Sequence, residues 1–137
     1  MTKIFNFLKS SKVSIAILIL TFFLIYWRVP TIFFVQDELL VLGLIKDQGK
    51  DYIFRGFDGS SIHITPLLNL LNYFLFNVFK LNHFVYGTLG FLIHLMNGLL
   101  TYALVLKITK KRDLAWLGTL LFFSSSAASQ LVMWPMV

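Results

Sequence analysis

Apolar residues fall in long blocks along this chain. Val13 to Trp27 is unbroken apolar or Ser/Thr, and after Arg28 the run resumes as VPTIFFV. Crossing about 30 Å of hydrocarbon takes roughly 20 such residues in a helix, so residues 13–34 read as a first membrane span. A cleaved leader would have a shorter core and a small-residue exit. Here the exit is Tyr26-Trp27-Arg28, an interfacial aromatic belt with a cation. Residues 84–106 read as a second span. A third begins at Leu114 and is drawn to about residue 132, through SSSAASQ, a small-residue stretch suited to close helix contact or a bend. Trp134 and Pro135 mark its far boundary.

Between the first two spans the pattern changes. Residues 36–65 hold every acid except Asp113. From Asp37 to Lys46 the pattern fits a short helix with acids in its first turn, where the dipole favours them. KDQGKDYIFRGFDGSS, with its glycines and Asp-Gly, reads as loop. TPLLNLLNYFLFNVF follows, with Thr65 as a cap and Pro66 at the first helical position. A helix over 66–79 is about 21 Å long at about 1.5 Å per residue, too short to span. Asn69, Asn72, Tyr73 and Asn77 recur at helical spacing as a polar stripe. If this segment spanned, Lys107, Lys110, Lys111 and Arg112 would fall outside, against the positive-inside rule. It therefore reads as an interfacial or re-entrant helix on the outer side. The expected fold is all-α and integral to the membrane, with three spans and an outer loop, 36–82, carrying interfacial helices at about 37–46 and 66–79.

Composition agrees. The chain is 58% hydrophobic and 13% charged, against about 25% charged in an ordinary soluble domain. No cysteine is present, which excludes a disulfide framework, thiol catalysis and cysteine-ligated zinc. The net charge of +6 does not point to nucleic acid, because the cations cluster at the ends of apolar blocks and form no polar face. Lys3, Lys9 and Lys12 place the N-terminus in the cytoplasm, and the composition fits a bacterial plasma membrane.

The candidate chemistry is sparse. Asp37 and Glu38 adjoin the outer end of the first span. They read either as a helix start at the water surface or as a carboxylate base that takes a proton from an acceptor hydroxyl. His94 lies in mid-span with Tyr86, Gly90, Asn97 and Thr101 on one face, and reads as a neutral imidazole bonded to a neighbouring helix. Arg55 and His63 lie in the outer loop near Asp58, where an arginine can grip a phosphate with two hydrogen bonds. A divalent metal held by Asp37, Glu38 and His63 is conceivable, but no ligand spacing supports it. No phosphate-binding loop, dinucleotide fingerprint, nucleophile elbow or HExxH occurs.

The order of these pieces carries a resemblance. A basic start, one span, an acidic pair, a polar stretch and TPLLNLLNYFLFNVFKLN lead into HFVYGTLGFLIHLMNGLLTYALVLKITKKRD. Together with HLMNGLL and LLFF…VMW, spread over residues 37–134, this resembles the N-terminal third of GT-C glycosyltransferases. It is most similar to the protein O-mannosyltransferase-like group and the tetratricopeptide-bearing membrane mannosyltransferases. The resemblance implies a multi-span enzyme that moves a sugar from a polyprenyl-phosphate donor lipid to a protein, lipid or glycan acceptor on the outer or lumenal face. It implies Asp37 as catalytic base, Glu38 as an acid assisting substrate or metal, and Arg55 and His63 as substrate-binding groups beside the lipid phosphate. Thr65 and Ser129-Gln130 depart from the pattern, where relatives often carry an arginine and an acid, and this leaves the substrate class open. Family enzymes enclose donor and acceptor with more helices than three. The expectation is accordingly the N-terminal part of a larger enzyme, inactive alone. The competing reading is a small three-span subunit or assembly factor without chemistry, whose Asn and His stripes are packing surfaces.

Overall fold

The computed structural model describes residues 11–55, 57 and 65–125. All regular structure among them is helical: α1 (Ser11–Tyr26), α2 (Gln36–Gln48), α3 (Pro66–Phe79), α4 (His83–Thr109) and α5 (Arg112–Ser124). Short 3-10 turns occupy Val29–Thr31 and Gly49–Phe54. Two stretches are long and apolar enough to cross a membrane, Val13–Thr31 and His83–Thr109. Both are candidate spans by length and composition.

The sequence accounts for most boundaries. Pro30 ends the first span in a tight turn, since proline has no N–H to continue a ladder. α2 opens on Asp37 and Glu38, carries Lys46 in its last turn and stops at Gly49, whose φ of +59° suits glycine. α3 starts at Pro66 as expected. Thr65 does not cap it: its hydroxyl donates to the Asn69 side-chain oxygen at 3.3 Å. The α4–α5 turn passes through Lys110 in the left-handed region at φ +56°. Of the expected third span, the described helix ends at Ser124, and residues 126–132 lie outside the described part.

Three apolar clusters are stacked along the molecule. Phe34, Leu42, Ile45, Tyr52, Leu75 and Tyr86 tie α2, α3 and the head of α4 into one unit. Phe22, Tyr26, Val29, Phe91 and Phe123 form the middle of the bundle. Leu18, Tyr102 and Ala115 join α1, α4 and α5 near their other end. Lipid tails are as apolar as leucine, so packing contacts rather than water exclusion hold such a bundle. Glycine sets the approach at two points. A Cβ on Gly98 would collide with the Phe123 ring, and one on Gly87 would lie 2.8 Å from the Val29 carbonyl oxygen.

The polarity is inverted relative to a water-soluble fold. On α3, Asn69 and Asn72 are buried, while Leu67, Leu70, Phe74 and Val78, spaced three, four and four, are exposed. Leu67 is 80% exposed. On α4, His94 is buried, while Leu92, Met96, Leu100, Leu104 and Ile108 face outward. A continuous outward apolar surface of this kind is costly in water and at rest in lipid.

Candidate functional site

The acidic pair divides. Asp37 is exposed in the first turn of α2, and Glu38 beside it is 3% exposed. The Val35 N–H donates to Glu38 Oε2 at 3.0 Å, so this carboxylate reaches back over the helix start as one half of a capping box. Burial pushes the Glu38 carboxyl above its ordinary range, and the Val35 N–H pulls it partly back. The helix-start and working-acid readings thus separate onto two residues: Glu38 holds the turn, and Asp37 is presented to solvent.

The segment that leads into α2 is held by rings from another element. Phe33 and Phe34 lead into α2, and both rings meet His83 at the head of α4, with centroids 5.1 and 6.4 Å apart. Phe34 also meets Tyr86 edge-on at 5.2 Å, and the Tyr86 hydroxyl donates to the Lys80 carbonyl at 2.9 Å. This aromatic clasp fixes the outer end of α4 against the segment that delivers Asp37. Reasoning on sequence missed His83. Its position directly after Asn82, at the first residue of a span, was the available signal.

Arg55 sits at the end of the second 3-10 turn, half-buried, with its Nε sealed from solvent and without a hydrogen-bond partner among the described residues. Its charge acts on Tyr52, whose phenol is raised by burial and lowered in turn by Arg55 and by a hydrogen bond with Asn72. Asn69 completes the wall by donating to the Ile53 carbonyl at 3.4 Å. Two asparagines of the polar stripe thus fasten α3 to the 3-10 turn. Only Asn77 is exposed, bonded to the Tyr73 carbonyl at 2.8 Å. The structure brings Arg55 to Tyr52 and not into an ion pair with Asp37 or Glu38 among the described residues. His63 and Asp58 lie outside them.

No cluster of three or more His, Asp or Glu side chains forms among the described residues. His94 lies apart from the unit of α2, α3 and the head of α4. Its ring is enclosed by Phe22, Tyr26, Phe122 and Phe123 at 5.0–5.8 Å. A cleft of about 770 Å³ runs beside it between α3 and α4, closed at one point by Phe122.

No family model, no curated protein and no solved structure matches this chain.

Proposed function

We propose that this chain is the N-terminal part of a polytopic glycosyltransferase. It would transfer a sugar from a polyprenyl-phosphate-linked donor to an acceptor on the outer or lumenal face of the membrane. The observation that carries the reading is the split of the acidic pair: one carboxylate is committed to the helix start, and its neighbour is free at the surface beside a span.

The chemistry asks little of the protein. An acceptor hydroxyl attacks the anomeric carbon, its proton passes to the Asp37 carboxylate, and the bond from that carbon to the phosphate oxygen breaks. The electron pair leaves with the polyprenyl phosphate. The lipid phosphate is already a competent leaving group, so positioning, a base and charge stabilisation suffice. Glu38 holds the backbone from which Asp37 projects. Arg55 and His63 are the cations of the outer loop assigned to the phosphate. His83 is a further donor at the same end of α4. A divalent metal enters none of these steps.

Sugar transfer from a labelled polyprenyl-phosphate donor, in membranes containing the full-length protein, tests the reading. Asp37→Asn should lower the rate by about 10²–10⁴, the usual contribution of a general base. An unchanged rate would remove Asp37 from the mechanism. The alternative, a non-catalytic membrane subunit, draws its support from the open face of α4.

A further inference from the structure

The cleft beside α4 has a periodic floor. Tyr86, Gly90, Ile93, Asn97, Leu100 and Leu104 all line it, at intervals of four, three, four, three and four. That is the seam of a left-handed helix pair, in which apolar residues repeat every 3.5 positions. His94 and Thr101 line the cleft just beside the seam. Tyr86 and Gly90 are buried within the chain, and the exposed part of the seam, Ile93 to Leu104, runs about 17 Å at about 1.5 Å per residue. Ile93, Leu100 and Leu104 are 46%, 61% and 58% exposed, and Asn97 is exposed between them.

The polar groups decide what covers this face. Asn97 lies near the middle of a 27-residue helix. A carboxamide in hydrocarbon without a partner costs several kcal/mol, and an alkyl chain offers it nothing. His94 is 4% exposed, and its Nε2 has no hydrogen-bond partner among the described residues. The occupant is therefore apolar along its length and polar at mid-depth, with its own backbone satisfied: a membrane helix. A single Asn in an otherwise apolar seam is matched by the same residue on an identical helix, because a carboxamide both donates and accepts. Copies inserted with one orientation are parallel, and a two-fold axis along the membrane normal sets Asn97 opposite Asn97.

We infer that α4 is the seat of a parallel homodimer, with a second copy of this chain seated in the cleft and Asn97 of each copy paired at mid-membrane. The inference does not depend on sugar chemistry.

The chain has no cysteine, so single cysteines report without background. Ile93→Cys, Asn97→Cys, Leu100→Cys and Leu104→Cys should each give a species of twice the chain mass on oxidation in membranes. Leu92→Cys, exposed on another side of α4, should give several-fold less. In liposomes, Asn97→Val should raise the dimer dissociation constant about 5- to 30-fold, the weight of one interhelical polar contact. This position is exposed, so the variant should retain its fold, which circular dichroism checks. Equal crosslinking at Leu92→Cys, a monomer at every protein density, or an unchanged dissociation constant for Asn97→Val would each overturn the inference.

Discussion

In the unit of α2, α3 and the head of α4, the Glu38 carboxylate accepts the Val35 N–H, Asn69 donates to the Ile53 carbonyl and Asn72 bonds Tyr52, while Arg55 Nε has no partner among the described residues. In the bundle, the Tyr26 hydroxyl reaches the Phe123 carbonyl and Thr119 turns back on Ala115, while His94 Nε2 and the Tyr102 hydroxyl have no partner among the described residues. The first region uses its carboxamides to join α3 to the 3-10 turn. The second keeps polar groups at mid-depth, one of them lining an open cleft. The difference separates a unit that fixes the start of α2 from a bundle with one face of α4 exposed.

The largest effect should come from the tightest contact in the bundle. Gly98→Ala places a methyl where the Phe123 ring stands, and that ring is 1% exposed among Phe22, His94 and Phe122. Overpacking of this kind costs about 1–3 kcal/mol, and adding Phe123→Leu should recover much of it. Thermal unfolding in detergent checks both. A Gly98→Ala variant as stable as the parent would mean that α4 and α5 do not pack at this point.

Next comes the bond that ties α3 to the outer loop. Asn72→Leu strands the buried Tyr52 hydroxyl and should cost about 1–3 kcal/mol, while Tyr52→Phe with Asn72→Leu should cost less than Asn72→Leu alone. A double variant no better than the single one would show that the pair is not coupled.

Smaller, and dependent on pH, is the contribution of Glu38. Its folded-state pKa lies above the ordinary glutamate value because burial disfavours the charge. The associated stability is therefore fully present below the unfolded pKa and is lost as pH rises through the folded one. The unfolding midpoint of the parent should fall across that window. Glu38→Gln keeps an acceptor for Val35 without the charge and should show no such fall. Glu38→Ala should lose the acceptor and loosen the first turn of α2, read as faster amide exchange at residues 35–38. Asp37→Asn should change stability least of all, because the side chain is exposed.

Element positions were legible where a single physical rule governs them. The short helix at 66–79 is present with the expected boundaries, because a proline start and a sub-membrane length leave few options. The span expected at 84–106 runs from His83 to Thr109, and the acid-led helix expected at 37–46 runs from Gln36 to Gln48. Orientation was less legible. The polar stripe on α3 was legible from spacing, but not which of its members turn inward: Asn69 and Asn72 are buried and Asn77 is exposed. The unequal fates of Asp37 and Glu38 were also hidden. Adjacent helical positions point about 100° apart, and only the packing of α2 decides which one is covered. His83 gained its place from rings 49 and 50 residues earlier, a long-range contact that periodicity does not report.

The central claim is that Asp37 stands on the outer face of a membrane whose other side holds the α4–α5 turn. Asp37 and Lys110 are both exposed, and the chain has no cysteine of its own. Asp37→Cys and Lys110→Cys, each treated with a membrane-impermeant thiol reagent on intact cells, measure this directly. Labelling at 37 without permeabilisation, and at 110 only after it, is the predicted result. Labelling at 110 from outside with 37 protected would contradict the account.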